Sequence, residues 1–151
     1  PLELIDTAIE EIRTLCQRLA TPVKNIDLKE MVDELLQSLI DESDIKTLYT
    51  FNIPADSIQD ELKLNIYRII QEQINNIVKY AEAKNITVSL THSNGSIRVV
   101  IADDGKGFDV NKKRKGVGIS NMINRAESFN GHVDIKSDAG KGTRISITIP
   151  C

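Results

Sequence analysis

Two alternating runs, Asn85 to His92 and Ser96 to Asp103, are joined through Asn94-Gly95. Asn-Gly between alternating runs is the strongest short-range hairpin signal, because both residues accept the positive φ of a tight primed turn. The fold must therefore contain an antiparallel pair with one apolar face, and that face needs a covering layer. A second hairpin is expected from His132 to Ser137 and Thr143 to Ile149, turning at Asp138-Ala139-Gly140-Lys141-Gly142. Ile45 to Ile53 is rich in β-branched and aromatic residues and reads as a further strand.

The covering layer is written at helical spacing. Asp27 is a candidate N-cap with Glu30 as its capping-box partner, and Leu28, Met31, Val32, Leu35, Leu36 and Leu39 follow on one side. A longer helix is predicted over Ser57 to Ala81, with Leu62, Ile66, Ile69, Ile70, Ile77 and Ala81 available to pack on a sheet. A third helix spans Ile119 to Asn130, with Gly131 as its C-cap candidate. At the N-terminus, Ile5, Ile12 and Leu19 recur every seven residues with Ala8 and Leu15 between them. This is either a bundle seam or the stripe of an ordinary amphipathic helix. Thr21-Pro22 ends it. The expected fold is α/β (α+β): a two-layer sandwich with a mixed, mostly antiparallel sheet and helices on one face, preceded by a bundle helix. The expected divisions are a partial bundle at 1–22 and a catalytic or binding domain at 27–151.

A length of 151 residues suits one domain with a real core. The net charge of −3 gives no reason to expect nucleic acid as a partner. No run is long and apolar enough for a membrane span, and no signal peptide is visible. The two cysteines, Cys16 and Cys151, make neither a zinc site nor a disulfide framework, which suggests a reducing, cytoplasmic setting. The chain opens Pro1-Leu2 without Met, as a fragment of a longer protein would.

The candidate chemistry gathers at two places. Asp103-Asp104-Gly105-Lys106-Gly107-Phe108 follows the second strand, and Gly116-Val117-Gly118 opens the third helix. A carboxylate for a base, glycines that admit a ligand to the main chain, and helix-terminal amides for phosphates suit a nucleotide. Taken alone, the stretch reads equally well as an ordinary Asp-Gly turn. On the long helix, Glu72, Asn76, Lys79 and Tyr80 share one face. Asn76 offers magnesium a hard oxygen, Lys79 a point charge to phosphates, and Glu72 a proton acceptor or water-mediated metal contact. The alternative is a solvated helix face. Lys112 to Lys115 forms a basic cluster between the glycine pairs, either a solvated loop or a lid over phosphates. His92 abuts the Asn94-Gly95 turn and His132 starts a strand, so both read as surface residues.

Together these stretches resemble a known family. Glu72-x-x-x-Asn76-x-x-Lys79-Tyr80, Asp103-x-Gly105-x-Gly107-Phe108, Gly116-x-Gly118 and Gly140-x-Gly142-Thr143 look like the N, G1, G2 and last glycine boxes of sensor histidine kinases. These belong to the GHKL ATPase superfamily, with gyrase and mismatch-repair ATPases. The resemblance covers roughly residues 27 to 150. Glu11-Ile12-Arg13-x-Leu15 through Pro22 and on to Leu28 is similar to the second dimerisation helix and linker of the nitrate-sensor-like subgroup.

The resemblance implies ATP and Mg2+ as cofactors. Asp103 would accept a hydrogen bond from the adenine amino group, Asn76 would ligate magnesium, and Lys79 and Tyr80 would contact phosphate and ribose. Gly105, Gly107, Gly116 and Gly118 would frame the nucleotide and hinge the lid, and Thr143 would lie near the adenine. Phe108, Lys115 and Val117 stand within or beside the boxes and complete the expected nucleotide contacts, with Glu72 as the catalytic candidate. Tyr80 stands where that subgroup usually has histidine, and Asp104 where asparagine is common. No phosphoacceptor histidine box is present, so the acceptor would lie on an upstream helix.

The implied function is transfer of the ATP γ-phosphoryl to that histidine, in a homodimeric parent that is either cytoplasmic or membrane-anchored. A response-regulator receiver domain would be the indirect partner. An anti-sigma-type serine kinase and a non-catalytic ATP-binding or dimerisation module are the alternatives. The heptad seam favours the histidine kinase.

Overall fold

The computed structural model describes residues 2–20, 25–110 and 117–151. Its elements in chain order are α1 (Leu2–Ala20), α2 (Leu28–Glu42), β1 (Lys46–Asn52), α3 (Asp60–Asn76, continued by a π-helical turn at Ile77–Ala81), β2 (Asn85–Ser93), β3 (Ser96–Asp103), α4 (Val117–Glu127), β4 (His132–Ser137) and β5 (Thr143–Pro150).

Five strands form one sheet in the order β1-β2-β3-β5-β4. β1 runs parallel to β2, as a strand pair bridged by a crossover helix requires, and α3 is that crossover. The other pairings are antiparallel, including the Asn94-Gly95 hairpin. Both turn residues take positive φ, 52° and 72°. The mixed, mostly antiparallel sheet is the one expected.

Alternation decides which face is covered. Ile86, Val88 and Leu90 on β2, Ile97, Val99 and Ile101 on β3, and Ile145, Ile147 and Ile149 on β5 are buried in one core. Their neighbours Thr87, Ser89 and Thr91 are half-buried, and Arg98 and Arg144 are exposed on the opposite face. The helical layer supplies Leu28, Val32, Leu36 and Leu39 from α2, with Leu62, Ile66, Ile69, Ile70 and Ile74 from α3. Each such side chain contributes roughly 1.5–3 kcal/mol on burial. Asp27 caps α2 as expected, its Oδ1 accepting the Glu30 N–H at 3.0 Å. In α1 the apolar positions Ile5 and Ile12 are 56% and 58% exposed, so the stripe is not spent on this core.

Three helix ends differ from expectation. α3 begins at Asp60 rather than Ser57, because Ser57 is held in a turn by its N–H to the Pro54 carbonyl. The last turn of α3 widens to π geometry and stops at Glu82, which has φ of 53°. The third helix spans 117–127 rather than 119–130 and closes with a Schellman arrangement. Asn130 N–H bonds to Glu127 O at 2.9 Å and Gly131 N–H to Ala126 O at 2.8 Å. Asn130, with φ of 59°, takes the left-handed position that Gly131 was expected to fill.

Gly131 is required for a different reason. A Cβ there would lie 2.7 Å from the Ala126 carbonyl oxygen and 2.9 Å from Ile149 Cγ1. Gly131→Ala is therefore expected to cost about 1–3 kcal/mol, seen as a lower urea midpoint with an unchanged m-value.

Candidate functional site

Asp103 is the last residue of β3, opposite Ile86 on β2 and Thr143 on β5. The β3 alternation that buries Ile97, Val99 and Ile101 carries Asp103 to the same, helix-covered face. Its Oδ1 accepts the Gly105 N–H at 2.8 Å, and the nearby Thr143 N–H also favours the ionised carboxylate. Its Oδ2 is buried and has no hydrogen-bond partner. Buried acceptors are rarely left unpaired, because an unmade bond forfeits roughly 1–3 kcal/mol of desolvation. Burial, and next the charge of Asp104, push the Asp103 carboxyl above the usual carboxylate range, while the two amides pull it down.

Asp104 behaves in the opposite way. Its Oδ1 accepts the N–H groups of Lys84 and Asn85, both at 2.8 Å, and its Oδ2 accepts from Asn85 Nδ2 at 2.7 Å. The bond from the Asn85 side chain is the main reason that its carboxyl is held below the usual range. Asp104 thus ties the start of β2 to the end of β3 and leaves Asp103 as the carboxylate aimed inward. Sequence reasoning gave Asp104 no such role.

The loop after Asp103 is stapled on two sides. Lys106 N–H bonds to Ala81 O at 2.7 Å, at the end of the π turn, and Lys106 O accepts the Gly140 N–H at 2.5 Å. Gly105 packs so closely that a Cβ would collide with the Ala81 carbonyl. Gly107 takes φ of +64° and faces the carbonyls of Asp138 and Gly142. The glycines here serve the close approach of three main-chain segments. Phe108 is half-buried and lines a cleft of about 450 Å³ with Asp109, Val110, Ser137, Asp138 and Ala139. Its N–H donates to Ser137 Oγ at 2.9 Å.

The second wall comes from α3 and α4. Gly118, at the N-terminus of α4, has no room for a Cβ, which would lie 2.5 Å from Glu72 Oε1 and 3.4 Å from Asn76 Nδ2. Glu72 and Asn76 are therefore brought against the first turn of α4. Lys79 and Tyr80, the other two residues of the predicted face, lie on the π turn and are exposed. Val117 is the first residue of α4. Lys115, Gly116 and the basic cluster Lys112 to Lys115 lie outside the described residues. Thr143 is 6% exposed at the start of β5.

The structure thus brings Asp103, Gly105, Gly107, Phe108 and Thr143 to one strand end, and Glu72, Asn76 and Gly118 to one helix junction. Sequence reasoning gave Ala81 and Ser137 no role at the site, and named Gly142 only as part of a glycine box. Gly142 has φ of +75° and packs on the Asp103 carbonyl, and its Gly-x-Gly-Thr context was the available signal. Nothing local marks Ser137.

Among the described residues, no cluster of three or more His, Cys, Asp or Glu side chains could hold a metal on its own. Asn76 and Glu72 are a donor set that fits magnesium only if phosphate and water oxygens complete it, which is the usual way that magnesium is held. Among the described residues, no helix is long and apolar enough to cross a membrane.

The sequence model of a family described as histidine kinase-, DNA gyrase B-, and HSP90-like ATPase matches residues 59–151. The fold is similar to that of the Acinetobacter baumannii histidine kinase AdeS, with a TM-score of 0.73 at 16% identity over 99% of this chain and 79% of that one. It is similar to the histidine kinase domain of a blue-light activated histidine kinase from Erythrobacter litoralis EL346, with a TM-score of 0.70 at 18% identity over 85% of this chain and 67% of that one. The mycobacterial sensor histidine kinase MprB gives 0.63 at 20% identity over 83% and 95%. At these identities the likeness is one of fold.

Proposed function

Because this chain belongs to the family of histidine kinase-, DNA gyrase B- and HSP90-like ATPases, we propose that it is the ATP-binding catalytic domain of a two-component sensor histidine kinase. It binds Mg-ATP and presents the γ-phosphoryl group to a histidine carried by a helix upstream of α2. The response-regulator receiver domain is then the downstream partner, and the α1 stripe belongs to the dimer of the intact protein.

The observation that carries the nucleotide reading is the buried, unpartnered Asp103 Oδ2. A carboxylate oxygen without a donor, at the end of a strand framed by glycines, fits the exocyclic amine of adenine. Asp103 accepts that hydrogen, while the loop from Gly105 to Phe108 and the Thr143 end of β5 wall the base. The amides of the first turn of α4 face the phosphates. Asn76, beside Gly118, would hold magnesium with Glu72 in reach through water, and the metal would neutralise phosphate charge. Lys79 and Tyr80, on the exposed π turn, contact phosphate and ribose. Glu72 is the side chain placed to orient or deprotonate an attacking group.

The test is titration calorimetry with Mg-ATP, Mg-GTP and ATP in chelator. We expect Mg-ATP to bind and Mg-GTP to be rejected. Asn76→Asp is expected to change the magnesium dependence of binding, whereas Asn75→Asp, an exposed neighbour off the junction, leaves it unchanged. Equal effects of the two substitutions would mean helix damage rather than coordination.

A further inference from the structure

Ser137 closes β4 directly opposite Thr143, and its hydroxyl joins three parts of the site. Ser137 Oγ accepts the Phe108 N–H at 2.9 Å, donates to Gly142 O at 3.1 Å, and lies 2.8 Å from Thr143 Oγ1. A serine hydroxyl carries one proton. With that proton on Gly142 O, the contact with Thr143 is a hydrogen bond only if Thr143 is the donor. The Thr143 proton is then committed to Ser137, and the Thr143 oxygen keeps only lone pairs for anything else that approaches it. Thr143 is registered opposite Asp103 on β3, so the two side chains stand on the same face of adjacent strands. Asp103 Oδ2 is itself an acceptor without a donor.

We propose that Ser137 is a positioning residue for nucleobase selectivity: by taking the Thr143 proton it makes the rim of the base site acceptor-only, so that a 6-amino purine is bound and a 6-oxo purine is turned away. This rests on the nucleotide reading above. A 6-amino group brings protons to both acceptors, whereas a 6-oxo group brings lone pairs against a carboxylate oxygen and a threonine oxygen. The same hydroxyl pins the Phe108 amide, so the loop that walls the base keeps its position while the polarity of the rim is set.

In Ser137→Ala the Thr143 hydroxyl regains its proton and can donate to a 6-oxo group. The probes are Mg-ATP and Mg-ITP, which differ at the 6-position of the base and in the proton on N1 of ITP, a difference common to wild type and variant, titrated calorimetrically into each. We expect ATP affinity to fall by about tenfold while ITP affinity holds or rises, so that the ATP to ITP ratio narrows by at least about tenfold. Ser137→Thr, which keeps a hydroxyl, is expected to restore the ratio. A purely structural role would weaken both nucleotides alike, and an unchanged ratio in Ser137→Ala overturns the proposal. If that variant does not fold, Ser137→Cys keeps the volume with a far weaker acceptor and is held to the same ratio. Failure of the wild-type chain to bind either nucleotide refutes the nucleotide reading and this proposal with it. Binding of ATP by the wild type with no change of ratio in the variants refutes the role of Ser137 alone.

Discussion

Asp103→Asn is expected to give a protein at least as stable as wild type that binds Mg-ATP about tenfold to a hundredfold more weakly. The two effects share one cause. The carboxylate is partly desolvated beside Asp104 and its carboxyl is shifted upward, so the folded state holds that proton more tightly than the unfolded chain does. The sign follows directly. The folded state is favoured while Asp103 is protonated, and it loses that advantage as pH rises from the ordinary aspartate value through the raised one. At neutral pH the ionised group is a cost that asparagine removes. The amide oxygen can still accept the Gly105 N–H that Asp103 Oδ1 accepts at 2.8 Å. Its amide nitrogen, however, then takes the place of the orphaned Oδ2 and presents hydrogens where an acceptor stood. A charged hydrogen bond worth roughly 1.5–3 kcal/mol is replaced by a donor facing a donor. Thermal unfolding at pH 7 with paired calorimetry checks both halves. A variant that binds ATP as wild type does would take Asp103 out of the site.

What the sequence revealed, and what it did not, follows the range of the interactions involved. The β2–β3 hairpin was legible because alternation and the Asn94-Gly95 turn are local signals, and the register Ile86↔Asp103 followed from them. Placing Asp103 at a strand end therefore required no tertiary knowledge. Glu72 and Asn76 were legible as one helix face, but their meeting with Gly118 was not, since nothing local joins the two helices. The π turn was not legible. Its residues Ile77 to Ala81 continue a helical pattern, and the partner of Ala81 O, the Lys106 N–H, comes from a distant loop. Asn130 and Gly131 are adjacent and both suit a helix end, so composition alone could not say which takes the left-handed position and which lies under Ile149. Ser137 was the hardest case. Its role needs the register Ser137↔Thr143 and the arrival of Phe108 from a loop far away in sequence.

Incubated with γ-labelled Mg-ATP, this chain is expected to bind the nucleotide and acquire no label. Transfer needs a histidine nitrogen within near-attack distance of the γ-phosphorus, about 3–3.5 Å. The sheet places both histidines far from the Asp103 and Thr143 end of the candidate site. His92 pairs with Ile97 on β3, six positions back from Asp103, or about 20 Å along the strand. His132 pairs with Thr148 on β5, five positions beyond Thr143, or about 17 Å. Each lies at the end of its strand opposite the candidate site. Under the proposed function, the exposed Ile5 and Ile12 of α1 would receive an added helix. A separate polypeptide carrying the acceptor histidine and its own seam should therefore become labelled when mixed with this chain, because docking raises the local concentration of acceptor. The labelled phosphate should sit on the added polypeptide and be lost on brief acid treatment, as phosphohistidine is. Acid-stable label there would identify a serine kinase instead. Substituting Ile5 and Ile12 with glutamate should abolish the labelling while leaving calorimetric ATP affinity unchanged. That separation would assign the seam to acceptor delivery and the Asp103 site to nucleotide binding. Acid-labile label on this chain alone would mean that His92 or His132 reaches the γ-phosphate and would overturn the expectation.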